Sequence, residues 1–566
     1  MKTQEEAAIQ RVREEFKKCG TLPFCRDWTS EETMLAMEDG VSLRTLICRP
    51  VRQGAVPTIV MRTCYTENDP VYRVTAEEYC KRGFAYIYQY CRGTGGSEGE
   101  WEPNVNERKD GKTTIDWICA QDWVGNTGYF GCSYLALTGW TIADILPPKV
   151  KTMYLTHYGV HRFTSVYKDG LFRHDVLTAW SMGNAGTKID ADYLESCRYR
   201  PQEEVDEALW GVRLNWYREW ITNTNRTDKY WNTGFWKMLK EIPKKVTIPL
   251  YIGEGWYDHH LGSAIETWLT LSEESRKKSC LLIGAWDHGY NIKLQDRTGS
   301  HFDNNDTVRA FEWFQKLLEE EAEPAGCVTY YVIGGDAWRT EKQFEVKDRK
   351  EARLYIGEQK CGKSFGLLPV NGACRGEADF LYDPDDPVMT HGAESLLATQ
   401  DEQGSLLQQV PGYRNDVISC VSEPFENDMI IFGKINVNLS VSTDADDTSF
   451  AVKIMEVTED GNAYNIRTGI TTLGYRNNSD TRISYAPGEK VSVTIDTWDI
   501  AWKIKKGSRL RLDITSSDFP QYSIHTNYAG CWAKQKEVRT ARQHIYFGGA
   551  DQSYISLPYI ADSNND

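Results

Sequence analysis

The chain runs to 566 residues, 40% of them hydrophobic and 26% charged, with a formal net charge of −16. That length exceeds what one hydrophobic core serves and predicts roughly two to four domains. The acidic balance has no offsetting Lys/Arg cluster and argues against nucleic acid or anionic lipid as partners.

Taken from the start, Met1-Lys2-Thr3-Gln4-Glu5-Glu6 leads into a polar amphipathic stretch without the apolar core of a secretory signal. No later run is long and apolar enough to span a bilayer, so the expected address is the cytoplasm and no membrane partner is expected. From about residue 56 to 289, short β-rich apolar runs alternate with helical patterns, as parallel α/β folds do. Pro57-Thr58-Ile59-Val60-Met61 and Phe84-Ala85-Tyr86-Ile87-Tyr88 read as buried strands, and Thr113 to Ala120 as a helix. Thr127-Gly128-Tyr129-Phe130-Gly131-Cys132-Ser133-Tyr134-Leu135-Ala136 reads as a strand, a one-residue corner holding Ser133, and a helix start. Lys151 to Leu155, Pro249 to Ile252 and Cys280 to Ile283 continue the strand series.

Between Tyr158 and Lys245 the alternation stops, and the chain becomes helical and aromatic, with Trp210, Trp216, Trp220, Trp231 and Trp236 among charged residues. This predicts a helical cap inserted into the sheet's connectivity, its tryptophans chiefly packing anchors and one or two of them lining a substrate pocket. Beyond the acidic run Glu319-Glu320-Glu321-Ala322-Glu323, strand-like segments dominate, among them Val328 to Ile333, Lys434 to Val441 and Arg509 to Ile514. Short strands broken by Gly, Asn, Asp and Pro predict a jelly-roll β-sandwich. The expected layout is an α/β domain over 1–157 and 246–325, a cap over 158–245 and the β-sandwich over 326–566. The 15 cysteines are scattered, odd in number and set in apolar runs such as Leu46-Ile47-Cys48, which reads as reduced core thiols. Neither Cys-x-x-Cys nor His-Glu-x-x-His occurs, so no metal is expected.

Two motifs compete with Ser133. Gly95-Gly96-Ser97-Glu98-Gly99 is a literal Gly-x-Ser-x-Gly, but Glu98-Gly99-Glu100-Trp101-Glu102-Pro103 is a poor helix start. A nucleophile needs a following helix whose first amides face the developing oxyanion, and Leu135 to Ala143 supplies the apolar spacing for one. The price is a bulky Leu135 where the helix must approach the sheet, partly relieved by Ala136. Gly357-Glu358-Gln359-Lys360-Cys361-Gly362-Lys363-Ser364 matches a phosphate-binding loop, yet Phe365-Gly366-Leu367-Leu368-Pro369 breaks the helix such a loop requires. It reads as a chance match in a β-hairpin.

A serine hydroxyl needs a base, a carboxylate and oxyanion donors. Asp258 follows the strand Leu250 to Ile252 and His288 follows Leu281 to Ile283, both just past a strand's carboxyl end, where open α/β sheets gather functional groups. The order Ser133, Asp258, His288 is that of an α/β-hydrolase relay. His259 and His260 compete for the base and Asp287 for the acid, but residues adjacent in a turn rarely present side chains to one another as a relay requires.

These residues resemble the cocaine esterase and X-Pro dipeptidyl-peptidase (CocE/NonD) family of serine hydrolases. The resemblance runs through Arg62-Thr63-Cys64-Tyr65, Arg92-Gly93-x-Gly95-x-Ser97-x-Gly99, Trp123-x-Gly125-Asn126-x-Gly128-x-x-Gly131-x-Ser133-Tyr134, Gly255-Trp256-Tyr257-Asp258, Gly284-x-Trp286-x-His288 and Leu381-Tyr382-Asp383-Pro384-Asp385-Asp386-Pro387. It implies an α/β-hydrolase domain, a helical cap and a C-terminal jelly roll meeting at one site, with Ser133, Asp258 and His288 as the triad. Tyr65 and the backbone amide of Tyr134 are implied as the oxyanion donors, and His260 and Trp286 are read as pocket residues. The chain departs from the family pattern at Cys64, Tyr90 and Ala136, where proline, aspartate and glycine are usual.

Acyl transfer through such a serine needs no cofactor. A substrate ammonium needs nearby carboxylates, and His259-His260-Leu261 stands where amino-ester hydrolases carry acidic residues. The expected substrate is therefore a small-molecule carboxylic ester, with X-Pro dipeptidyl-peptidase, amidase or β-lactam acylase action on a short peptide or amide as the alternative. A noncatalytic carbohydrate-binding role for the β-sandwich is the more distant reading, and a homo-oligomer is within what the resemblance implies.

Overall fold

A computed structural model describes residues 4–289, 294, 297–344, 349–361, 364–394 and 398–560. Among these, ten strands form the first sheet: Trp28–Ala36 (β1), Ser42–Pro50 (β2), Val56–Thr63 (β3), Ala85–Tyr90 (β4), Val124–Cys132 (β5), Val150–Thr156 (β6), Leu250–Gly255 (β7), Cys280–Gly284 (β8), Cys327–Val332 (β9) and Ala337–Glu341 (β10). Their order is β1-β2-β4-β3-β5-β6-β7-β8-β9-β10, parallel from β4 to β9 and antiparallel at both edges. The chain leaves β3 towards β4 and returns to the other side of β3 as β5, so the strand order reverses at the β3–β5 pair. Such a reversal opens a crevice at the strands' carboxyl ends.

The sequence explains why this sheet is covered on both faces. Every residue of β3 and β4 is buried, the mark of parallel strands flanked by helices. Alternate side chains then serve opposite cores. Ile59 and Met61 pack with Phe16 of helix α1 (Gln4–Phe16), Tyr79 of α2 (Asp69–Lys81) and a phenylalanine further along the chain, Phe311. Val60 and Ile87 pack on the other side with Ile115 and Ile118 of α3 (Glu107–Ala120) and Leu137 and Trp140 of α4 (Tyr134–Trp140).

The segment expected as a cap is a set of short helices. α5 (His174–Gly183) and α6 (Asn215–Thr222) lie within it, and α6 buries Tyr217, Trp220 and Ile221 on one face. Trp210, Trp231 and Trp236 are also buried, as packing anchors. The chain re-enters the α/β unit at β7 and runs on to α7 (Asp306–Phe314), which carries Phe311.

Past this point the structure differs from the expected boundary at 325/326. Val328 to Val332, expected in the β-sandwich, lies in β9, which pairs in parallel with β8 (Cys280 opposite Cys327), and β10 closes that edge. The apolar run forms a strand, but strand partnership is a long-range choice that a short run does not encode. From Lys350 onward an all-β unit follows. Eleven strands form its sheet, with Met429–Thr443 and Val491–Ile504 as the longest pair. The phosphate-loop match falls on the antiparallel hairpin of Lys350–Cys361 and Ser364–Leu368; its Gly362 and Lys363 lie outside the described residues. No helix of the described residues is long and apolar enough to cross a membrane.

Candidate active site

Ser133 occupies the single residue between β5 and α4 with φ 58° and ψ −126°. A non-glycine residue with positive φ is costly and persists only where its surroundings enforce it. Two contacts do so here. The Ser133 amide donates to the Thr156 carbonyl at 2.9 Å, tying the corner to β6. At Gly131 a Cβ would lie 2.3 Å from the Leu135 carbonyl oxygen, so only glycine lets the helix fold back this tightly. Leu135 joins the apolar cluster containing Tyr86, Tyr154 and Phe311. The helix approaches the sheet through Gly139, where a Cβ would meet Leu155 Cδ2 at 2.8 Å.

The parallel strands β5, β7 and β8 end on the same edge, and the groups beyond them converge. His288 Nε2 lies 2.8 Å from Ser133 Oγ, and His288 Nδ1 lies 2.8 Å from Asp258 Oδ2. An ionised carboxylate only accepts, so Nδ1 carries the proton and Nε2 is left to accept from the serine hydroxyl. Asp258 is fully buried, and its other oxygen accepts the His260 amide at 2.7 Å. Burial opposes its charge, but the His288 and His259 imidazoles and the bonds from His157 and His288 hold its carboxyl well below the usual range. Burial likewise works against charge on His288, yet the Asp258 carboxylate raises its pKa above the ordinary value.

The other side of Ser133 is built from β3 and α4. Tyr65 lies two residues past β3, and its Oη accepts from Trp180 Nε1 at 3.1 Å. Its surroundings push the phenol pKa well up, chiefly by desolvation, so the hydroxyl keeps its proton. As the first residue of α4, Tyr134 presents a main-chain N–H that has no intrahelical acceptor. The Tyr134 ring is fixed from behind. Its Oη donates to Glu107 Oε1 at 3.0 Å, and Glu107 in turn pairs with buried Arg62 at 3.0 Å. A cavity of about 310 Å³ opens in front of Ser133, walled by Leu137, Tyr158, Val176, Leu177, Trp180 and Trp220, with His260 on its rim of histidines.

Residues 39–290 match the family model described as X-Pro dipeptidyl-peptidase (S15 family), and residues 321–556 match X-Pro dipeptidyl-peptidase C-terminal non-catalytic domain. The chain is 27% identical to the cocaine esterase of a Rhodococcus species, over 94% of this chain and 98% of that one. The chain belongs to the cocaine esterase and X-Pro dipeptidyl-peptidase family of serine hydrolases. Its fold is shared with an aminopeptidase from a marine sediment Thaumarchaeota archaeon (TM-score 0.79, 20% identity, 94% of this chain and 97% of that one). An α-amino acid ester hydrolase superposes with TM-score 0.78 at 21% identity, covering 95% of this chain and 98% of that one.

In this serine hydrolase the competing residues have other partners. Ser97 Oγ donates to the Tyr90 carbonyl and accepts the Arg44 amide, each at 2.9 Å, which pins the loop after β4. Asp287 accepts from the Gly289 amide at 2.8 Å and from Gln403 Nε2 at 2.5 Å, facing the β unit. His259 sits beside the relay, its Nδ1 3.5 Å from Asp258 Oδ1, while His260 Nδ1 is 2.8 Å from Ser165 Oγ. Burial holds both rings well below the usual histidine pKa and therefore neutral.

Trp286, expected as a pocket residue, lies elsewhere. It does not line the cavity; it is buried beneath Arg309, packed near Phe302 and Trp338, and its ring fills the space that a side chain at Gly284 would need. Its position two residues before His288 sends it to the opposite side of the loop. Tyr90 donates to Asp69 Oδ1 at 2.5 Å.

Two buried residues escaped the sequence reading. His157 lies just past β6, with φ 55°, and its Nδ1 is 2.6 Å from Asp258 Oδ2, so the carboxylate oxygen facing His288 carries a second imidazole. His157 stands one residue beyond β6, as Ser133 stands one residue beyond β5. Glu254 in β7 is buried, and desolvation together with the Asp258 charge raises its pKa well above the carboxylate range, which leaves a neutral acid under the relay. The ligand atoms of His157, Asp258 and His288 lie within 4.8 Å of one another. Both imidazoles already direct Nδ1 at the carboxylate, and a cation there would displace the protons of those two hydrogen bonds.

Proposed function

We propose that this protein hydrolyses carboxylic esters, with Ser133 as nucleophile, His288 as general base and acid, and Asp258 as the group that orients and stabilises the imidazolium. Ser133 Oγ attacks the ester carbonyl carbon while its proton passes to His288 Nε2. The carbonyl oxygen takes the electron pair and is held by the Tyr65 hydroxyl and the Tyr134 amide. Collapse breaks the carbon–oxygen bond to the alcohol, which leaves with the proton from Nε2. Water then attacks the acyl-serine by the same route, returning its proton through His288 and releasing the acid. The observation that carries this reading is the unbroken line of two 2.8 Å contacts from Ser133 through His288 to Asp258.

The choice of ester over amino-terminal peptide rests on charge. Among the described residues no carboxylate lines the cavity in front of Ser133, and Arg162 does. A desolvated substrate ammonium would meet a cation and no anion, which is costly. A fluorophosphonate should modify Ser133, and p-nitrophenyl acyl esters should be turned over in strong preference to X-Pro-p-nitroanilides. The reverse preference would make this a peptidase, and an unlabelled, inactive protein would favour the carbohydrate-binding role.

A further inference from the structure

Ser133 borders a second cavity that the family's triad does not explain. It measures about 350 Å³ and lies on the opposite face of the sheet's edge from the cap, between α1, α2 and α7. Val12, Met61, Val71, Tyr79, Tyr86 and Phe130 are among the residues of its apolar wall. Its size is within the ~300–1,000 Å³ of small-molecule sites, and an apolar space of this kind gains free energy by taking up hydrocarbon. Tyr65, Cys132 and Ser133 line both this chamber and the one beneath the cap, so the nucleophile stands at their junction.

The position of the base assigns the two chambers. His288 lines the cap cavity but not the second one. In ester hydrolysis the general acid must reach the leaving-group oxygen, so the alcohol lies on the side of His288. The acyl substituent projects from the other side of the carbonyl carbon.

We infer that the chamber between α1, α2 and α7 binds the acyl chain of the substrate, an uncharged aliphatic or aryl-alkyl group, and that the cap cavity receives the alcohol. This rests on the ester-hydrolase reading above. An anionic tail is disfavoured, because Asp306 lines the chamber and Thr307, beside it, hydrogen-bonds Glu15. The tyrosine walls give the chain apolar ring faces.

The test uses two series of esters on the full chain: p-nitrophenyl esters from acetate to octanoate, and acetates of alcohols of increasing size. Val71→Trp and Thr75→Phe, on the chamber face of α2, are expected to lower the octanoate-to-acetate ratio of kcat/KM at least about tenfold, since even one methylene in an apolar pocket is worth about that much. The ranking of the alcohols should be retained. Unchanged acyl ratios, or a change confined to the alcohol series, would overturn the assignment, as would preference for a hemiglutarate over a neutral ester of equal length. A crystal structure of the unmutated protein inhibited by an octylphosphonate decides independently of whether the variants fold. The alkyl chain between α2 and α7 supports the proposal, and the chain beneath the cap refutes it. Ser133→Ala separates the two claims: its continued turnover would sink the ester-hydrolase reading, whereas an inactive Ser133→Ala with the chain beneath the cap sinks only the chamber.

Discussion

Tyr65→Phe removes one hydroxyl from the edge of β3 and leaves the ring. In the structure that hydroxyl accepts from Trp180 Nε1 at 3.1 Å, which directs its own proton away from the indole and towards the cavity that it shares with Ser133. The phenol pKa lies well above its ordinary value, first because of desolvation, so a full hydrogen-bond donor is present at every working pH. The Tyr134 amide remains in the variant. Loss of one of two oxyanion donors costs about 2.7–4 kcal/mol in the transition state, so kcat should fall about 10²- to 10³-fold. The ground-state carbonyl gains little from the same donor, so KM should change little. Trp180→Phe is the companion variant. It takes away the bond that orients the phenol, a net loss of about 0.5–1.5 kcal/mol that should lower kcat about threefold to tenfold, and because Trp180 also walls the cavity KM is expected to rise with it. Steady-state kinetics on p-nitrophenyl acetate, with fluorophosphonate labelling of Ser133 as the check on folding, measures both. Tyr65→Phe within about threefold of the parent kcat, with labelling intact, would refute the oxyanion role.

The pH profile follows from His288, which must be neutral to accept the serine proton. Its pKa is raised by Asp258, so activity should be lost as pH falls, with a midpoint above the ordinary ~6.5 of histidine; a midpoint below that value contradicts the pairing. Asp258→Asn should remove this elevation and cost about 10⁴-fold in kcat, as loss of the orienting carboxylate does in other triads. His157→Phe removes one donor to Asp258 Oδ2 without touching Ser133. Hydrogen bonds to charged groups are worth about 1.5–3 kcal/mol, so kcat should fall about tenfold or more and the acid limb should shift, while His157→Gln recovers part of the loss. Glu107→Ala strands the buried Arg62 guanidinium and should destabilise the fold by about 3–5 kcal/mol, read by chemical denaturation.

Much of this was legible because parallel α/β folds write locally. The runs at Pro57 to Met61, Phe84 to Tyr88 and Lys151 to Leu155 are rich in apolar residues because both faces of those strands are largely covered, and all three overlap strands of the first sheet. Ser133 was preferred over Ser97 because a helix can begin after one and not after the other, a property of the next ten residues. Its position past a strand end marks His157 as a candidate but does not name its partner, Asp258, which is 101 residues away. Trp286 was misplaced for a related reason: proximity to His288 in sequence says nothing about which side of a loop a side chain takes.

By itself, then, the order of residues determined the strand and helix types, the corner at Ser133 and the spacing of strand ends that carry Asp258 and His288, since each depends on periodicity and turn chemistry within a short window. Only the tertiary structure decided that β9 joins the first sheet, that a second imidazole shares Asp258, and that Ser133 opens onto two chambers rather than one. Those features arise where separate elements are brought into contact by burial of their apolar faces. A contact made that way is specified by the whole packing arrangement and by no one segment of it.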